Sequence, residues 1–355
     1  MASWKYGLRQ PGVKAVLLAA LLFGASTPLA KTLLGNVGPW MLAGLLYLGS
    51  GLGLSLYRGI VRAPALPIPR RERAWLGAAI VAGGIAAPAL LMFGLRGMRA
   101  SDASLLLNAE GVFTTLLAWF VFRENFDRRV LLGMGAIVAG AWALSGPGSH
   151  QAVHAGPLFL VLGACAMWAL DNNLMRQVSL AEPTRVAALK GLVAGTVNLS
   201  IALMLGAAMP PTLVAFAGLA MGGLAYGASL ALFVVGLRHL GTARTGAYFS
   251  VAPFFGALVA IVFLKEPLSW PIMAAGALMA LGVWLHLTEH HSHMHSHQAL
   301  EHDHEHVHDL HHQHAHESPV PPGTRHRHRH RHALMTHEHA HFPDAHHRHD
   351  HPEGE

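Results

Sequence analysis

Residues 105–119 read LLLNAEGVFTTLLAW, and a single carboxylate, Glu110, stands near the middle of an otherwise apolar run. What a carboxylate does there depends on the solvent around it, and the flanking sequence decides that. Over residues 1–288 there are 20 Lys/Arg and 8 Asp/Glu, most of them between long apolar runs. The runs are continuous, as in membrane-spanning helices of about 20 apolar residues. They lack the period-two alternation of a membrane barrel, and few segments offer the polar face that a soluble helix needs. A soluble α/β enzyme is therefore excluded, and nothing in the chain points to a nucleic-acid partner or an organic cofactor. The lone Cys165 forbids an internal disulfide.

Working outward from Glu110, breaks such as Gly38-Pro39, Pro64 to Pro69, Gly146-Pro147-Gly148 and Pro210-Pro211 divide the chain into apolar segments. Ten spans are predicted, near 13–34, 38–57, 74–95, 102–122, 128–146, 157–177, 185–208, 212–237, 243–264 and 269–288. Lys5, Arg9 and Lys14 before the first run resemble the basic head of a signal peptide. The run continues to Leu34 without a small-x-small site, so a retained first span is expected. Loop charges then set the orientation. With a cytoplasmic N-terminus, the inner segments hold Lys5, Arg9, Arg58, Arg62, Arg70, Arg71, Arg73, Arg123, Arg128, Arg129, Arg176, Arg185, Arg238 and Arg244. The outer ones hold only Lys31, Arg96, Arg99 and Lys265, so both termini are expected in the cytoplasm of a plasma (bacterial inner) membrane.

Residues 95–143 and 237–285 align without a gap at a shift of 142. Leu95/Leu237, Arg96/Arg238, Phe113/Phe255, Leu116/Leu258, Ala118/Ala260, Glu124/Glu266, Gly140/Gly282 and Trp142/Trp284 are identical. Asp127 and Ser269 coincide, each placed to cap the following helix. A weaker match sets FGASTPLAK (23–31) beside WALDNNLMR (168–176). Five spans per repeat invert the second copy, the architecture of many secondary transporters, with a site at the repeat interface near the midplane. Small residues such as Gly218 and Gly222 suit close helix packing. The layout, together with Arg123-Glu124 and Lys265-Glu266-Pro267 closing the fourth and ninth spans, resembles the EamA-type branch of the drug/metabolite transporter superfamily over residues 10–288. The expected organisation is an all-α polytopic membrane protein. A cytoplasmic N-terminus (1–12) precedes one five-helix repeat (13–146), a second (157–288) and a disordered His-rich tail (289–355).

At about 1.5 Å per residue from Asp102, Glu110 lies some 12 Å deep. A helical wheel gathers Glu110, Gly111, Thr114, Thr115, Ser104 and Asn108 on one half and Leu105, Leu106, Val112, Phe113, Leu116 and Phe120 on the other. A central carboxylate costs about 3 kcal/mol on insertion scales, so it is expected to face a wet cavity and to act there. Its counterpart in the repeat is Ala252, so the architecture itself does not require an acid at that place. A second cluster, Trp168, Asp171, Asn172 and Asn173, lies nearer the cytoplasmic end of the sixth span. Lys190, close to a helix end, is expected to reach the headgroups. Two acids facing one cavity suggest proton coupling. The resemblance adds Tyr226, Tyr248 and Ser250 as lining residues and implies export of small organic metabolites by alternating access.

From His290 the composition changes, and 24 of the 28 histidines follow residue 289. The tail lacks an apolar core, which predicts disorder. Neutral imidazoles at this density, including His302, His304, His306, His308, His311 and His312, bind divalent transition metals without needing a fold. HEHVH (304–308) and HEHAH (337–341) match a zinc-protease pattern, as a tract this rich in His and Glu does by chance. The alternative function is a nickel, cobalt or zinc exporter whose tail collects metal. Against it, the spans lack paired His or Cys: His239 and His286 sit at helix ends. A membrane scaffold without transport finds no positive support in the sequence.

Overall fold

The computed structural model describes residues 11–63, 68–122, 128–145, 155–175, 178, 182–240 and 242–287, together with 292–297, 301–306, 326–331 and 335–340. The chain divides into two units, Met1–Glu289 and His290–Glu355.

The secondary structure of the first unit, among the described residues, is helical. Its helices are α1 (Pro11–Leu33), α2 (Pro39–Ile60), α3 (Arg73–Ala79), α4 (Ala87–Arg96), α5 (Ala100–Leu106), α6 (Ala109–Phe122) and α7 (Arg128–Ser145) in the first half. The second half holds α8 (Ala155–Met175), α9 (Pro183–Met204), α10 (Thr212–Gly222), α11 (Ser229–Leu240), α12 (Thr242–Phe249), α13 (Ala252–Phe263) and α14 (Trp270–Leu287). Two π-helical turns, Ile80–Ala86 and Gly223–Ala228, join α3 to α4 and α10 to α11 without a break. Among the described residues, nine helical segments are long and apolar enough to cross a membrane. The helix α7, which opens on Arg128 and Arg129, is not one of these nine, although it packs along α14. Large apolar side chains lie bare on the outside, among them Leu56, Phe120, Trp142, Phe159, Phe216, Trp270 and Trp284. So much exposed apolar surface suits hydrocarbon and would be a liability in water.

Helix ends follow from local chemistry. Pro39 and Pro183 occupy first-turn positions, where the missing N–H is not needed. Glu182 caps α9 by accepting from the N–H groups of Thr184 and Arg185, and it also pairs with Arg58 at the end of α2. Ser269 departs from expectation. Its carbonyl accepts from the Met273 N–H, but its hydroxyl is buried without a partner, because the chain enters α14 with that oxygen turned inward. Asp127 lies outside the described residues.

Packing follows the repeat. The second span lies on the seventh (α2 with α9) and the fifth on the tenth (α7 with α14), so each of these helices contacts its own sequence counterpart. The helix α1 packs against α11, and its counterpart α8 packs against α4 in the same way. Backbone approaches backbone where glycines meet. A Cβ on Gly191 would run into Gly51 and the Tyr47 carbonyl, and one on Gly222 would overlap the Leu46 carbonyl. One relation is not reproduced. The helix α5 packs against α13, whereas α6 and α12, their continuations toward the other end, share at most a marginal contact among the described residues.

In the second unit, β1 (Ser292–His297) pairs antiparallel with β4 (Met335–Ala340), and β2 (Glu301–His306) with β3 (His326–Arg331). Composition alone predicts no ordered structure here, and the difference lies in the register. Glu301, Asp303 and Glu305 stand opposite Arg331, Arg329 and Arg327, while His302, His304 and His306 stand opposite His330, His328 and His326. His308, His311 and His312 lie outside the described residues.

The glycine contact between α2 and α9 yields a first prediction. Gly191→Leu forces two backbones apart and lowers stability by about 1–3 kcal/mol, the usual scale of overpacking. A thermal unfolding scan in detergent reads this as a lower midpoint, whereas the same substitution at Gly135, which has open space around it, leaves the midpoint near the parent value.

Candidate functional site

The fourth span is not one helix. It breaks at Leu107 and Asn108, and the ninth breaks one residue beyond the matching place, at Ser250 and Val251. Around the first break the N–H groups of Asn108, Glu110 and Gly111 reach the carbonyls of Leu105, Leu107 and Asn108, three residues back, instead of four. This tightened turn places Glu110 in the first turn of α6. A helix N-terminus carries partial positive charge, so the carboxylate sits where the backbone favours an anion. A reading of the fourth span as one helix misses the break, because neither half of it contains proline. The Leu106 carbonyl accepts from the Cys165 thiol at 3.6 Å.

Glu110 is half-buried, and its Oε1 accepts a hydrogen bond from the Asn172 amide at 2.8 Å, with Asn172 exposed. One residue along α8, Asp171 is 5% exposed and its Oδ2 is ion-paired with Lys190 of α9. Asp171 Oδ1 has no partner. Lys190 therefore does not reach for headgroups. Its ammonium turns inward because an uncompensated buried carboxylate would cost more than bending a flexible stem away from water.

The π turn in the third span supplies the floor. Such a turn interrupts the i to i−4 ladder and releases carbonyls. The Gly83 carbonyl accepts from the Tyr47 hydroxyl at 2.6 Å and from the Trp168 indole N–H at 3.1 Å, and the Gly84 carbonyl accepts from the Asn198 amide at 3.0 Å. Gly83 also makes room, since a Cβ there would coincide with the Asp171 carboxylate. Trp168 approaches the Tyr47 hydroxyl at 3.4 Å. Tyr226, on the matching π turn of the eighth span, lies with its ring 5.9 Å from Tyr47 and edge-on to Phe23 at 5.6 Å. Phe249 continues the wall beside Phe23.

The sequence-predicted residues thus separate into two groups. Glu110, Trp168, Asp171, Asn172 and Tyr226 come together. Asn173 is buried beside them, but its amide serves the carbonyls of Ala169 and Thr114, and its oxygen is unpartnered. Thr114 contributes that carbonyl. Asn108 turns the other way, donating to the Leu105 carbonyl and approaching the Met279 sulfur at 3.9 Å, because it lies inside the break and not on a continuous wheel. Ser250 sits in the matching break and donates to the Ala247 carbonyl, while Tyr248 is on α12; neither joins the contacts around Glu110. Sequence reading missed Tyr47, Gly83 and Asn198. A Gly83-Gly84 pair within an apolar span was the available signal. Among the described residues, no group of three His, Cys, Asp or Glu side chains converges to hold a metal.

Chemically, the site offers two acids, one base and two amides against an aromatic wall. It can hold a small molecule by a cationic and an anionic end at once. The buried Asp171–Lys190 pair gives a second prediction. Lys190→Met strands the carboxylate and costs about 3–5 kcal/mol of stability, whereas Lys190→Met combined with Asp171→Asn recovers most of it. Unfolding midpoints of the three proteins in detergent check this.

Residues 10–146 and 156–288 each match the family described as the EamA-like transporter family. An uncharacterized transporter of Methanothermobacter thermautotrophicus is 29% identical over 299 residues, covering 79% of this chain and 87% of the relative. A probable amino-acid metabolite efflux pump of Escherichia coli is 30% identical over 186 residues, which is 50% of this chain and 57% of that protein. A solved crystal structure superposes with a TM-score of 0.57 at 18% identity, over 77% of this chain and 97% of the other. That last likeness is one of fold.

Proposed function

Because the chain belongs to the EamA-like transporter family, matched twice along its length, we propose that this membrane transporter exports small, amino-acid-like metabolites by alternating access and exchanges protons through Glu110. The observation that carries the reading is the juxtaposition of Glu110–Asn172 with Asp171–Lys190 inside the spans. An amino acid presents an ammonium and a carboxylate a few bonds apart. Glu110 suits the first and Lys190 suits the second, while Tyr47, Trp168 and Tyr226 offer apolar and π surface to a side chain. The efflux-pump relative, named for amino-acid metabolites, agrees with this choice.

The two acids have different partners, and this divides their roles. Asp171 is held by a cation, so its charge is already compensated. Glu110 is held by a neutral amide and is half-exposed, so a proton or a substrate ammonium can neutralise it. The first and second halves are read as inverted copies of five spans each, α7 serving as the fifth. The loop charges place the α6 and α12 ends toward the cytoplasm. In this conformation the outer halves of the fourth and ninth spans are together and the inner halves apart. On this reading the protein faces inward, the side from which an exporter loads.

In proteoliposomes with an imposed pH gradient, Glu110→Gln abolishes the gradient's effect on amino-acid flux while residual exchange persists. Lys190→Gln instead lowers affinity for the substrate carboxylate by roughly tenfold, about the loss of one charged contact. An unchanged pH response in Glu110→Gln refutes the coupling role.

A divalent-metal reading has one observation in its favour, the register that sets three tail histidines opposite three others in β2 and β3. Deleting residues 290–355 distinguishes the two. On the organic reading, cellular protection against toxic amino-acid analogues survives the deletion. On the metal reading, protection against nickel, cobalt or zinc is what the cell gains and the deletion removes.

A further inference from the structure

A cavity of about 380 Å³ lies between α3 and α9, apart from the residues around Glu110. Two cations stand in its wall, Arg73 in the first turn of α3 and Arg185 in the first turn of α9. Leu76, Ile80 and Leu189 supply its apolar surface, and among the described residues no carboxylate lines it. Glu182, three residues before Arg185, is engaged by Arg58 and by the N–H groups it caps. Arg73 Nε donates to the Ile68 carbonyl at 3.4 Å, which ties the arginine to a residue of the same wall. Arg185 makes a further interaction of its own. A guanidinium has five N–H donors, so one bond elsewhere leaves a fork for an anion.

The surroundings place this cavity at a membrane surface. Trp75, two residues after Arg73, is exposed, as tryptophans at headgroup level are. One turn further along each helix, Val81 and Val193 are exposed as well, so bare apolar surface continues from the cavity into the span. Gly77 also lines the cavity, and a Cβ there would meet no atom within 4 Å. The space beside it is therefore open rather than filled by packing.

Paired guanidiniums at the edge of apolar surface match an amphiphile with an anionic head. A water-soluble anion would leave Leu76, Ile80 and Leu189 unused, and a zwitterionic lipid would bring its own cation to the arginines. We infer that this slot binds an anionic glycerophospholipid. Its phosphate sits between Arg73 and Arg185, since arginine grips phosphate through two parallel N–H bonds. An acyl chain runs over Gly77 and Leu189 toward Val81 and Val193. By the loop charges this end faces the cytoplasm, whose leaflet carries the negative surface potential.

The inference goes beyond the transport reading and stands without it, because it depends on no cargo and no conformational cycle. The slot is nevertheless close to the polar centre. Ile80 opens the π turn that carries Gly83, and Lys190, the neighbour of Leu189 on α9, pairs with Asp171.

Full-length protein, stripped of lipid in detergent, tests this. It is titrated with phosphatidylglycerol, with phosphatidylcholine of the same acyl chains and with inorganic phosphate, and the unfolding midpoint is followed. Phosphatidylglycerol raises the midpoint by about 5 °C at a hundredfold excess over its Kd, and the other two leave it unchanged. Native mass spectrometry of the same sample shows phosphatidylglycerol retained on the protein. Arg73→Gln and Arg185→Gln each weaken its binding roughly tenfold, the loss of a charged contact. Arg70→Gln and Arg71→Gln, exposed and outside the cavity, leave it near the parent value. Gly77→Leu fills the slot without altering any charge, so it melts at or above the parent midpoint without lipid and loses the shift. That variant decides the matter even where an arginine variant fails to fold. An equal shift with phosphatidylcholine, or a shift with inorganic phosphate alone, overturns the anionic-lipid assignment. Equal losses at Arg70 or Arg71, or an undiminished lipid response in Gly77→Leu, overturn the slot itself.

Discussion

In hydrocarbon there is no water to satisfy a freed backbone group, and this constraint governs where the helices of this protein can be irregular. Two interruptions in the first half are matched by side chains or turns that use what they release. The π turn at Ile80–Ala86 exposes the Gly83 and Gly84 carbonyls, and Tyr47, Trp168 and Asn198 take them up. The break at Leu107 and Asn108 is closed by shortened turns, by the Asn108 amide on Leu105 and by the Cys165 thiol on Leu106. The irregular backbone and the polar site are therefore one feature. Glu110 stands in the first turn after one break, and Asp171 lies against the glycine of a π turn.

The two halves use the same backbone devices for different ends. Both have a π turn in their third span and a break in their fourth, at positions related by the repeat. Only the first half places an acid after its break, since Glu110 is matched by Ala252. The symmetry lies in the backbone, while the side chains place an acid after only one of the two breaks. Packing shows the same division. The pairs α2–α9 and α7–α14 bring counterparts together, while α5–α13 has no equivalent in α6–α12.

Charge inside the spans is sparing and balanced. Asp171 and Lys190 compensate one another, so the fold does not bear the cost of an isolated ion. Among the described residues, the hydrogen-bond partner given to the Glu110 carboxylate is the neutral Asn172 amide. The unpartnered oxygens of Asp171, Asn173 and Asn198 add acceptors that the fold itself does not use.

The sequence by itself determined that the chain is a membrane protein built from repeated apolar spans. Glu110 and the Asp171-Asn172 pair were legible there too, because continuous apolar runs and isolated charges within them are one-dimensional signals. Tertiary structure alone decided that Lys190 turns inward to Asp171, that Asn108 turns away from Glu110, and that Glu266 reaches across to α5. It also decided that histidine faces histidine between β2 and β3. The physical reason is common to all four. Each depends on which distant backbone or side chain stands within hydrogen-bond or ladder distance, and a helical wheel assumes an unbroken helix and knows nothing of its neighbours. Where a helix breaks or bulges, the period that makes sequence readable is lost, and here those places are where the polar contacts of the site are found.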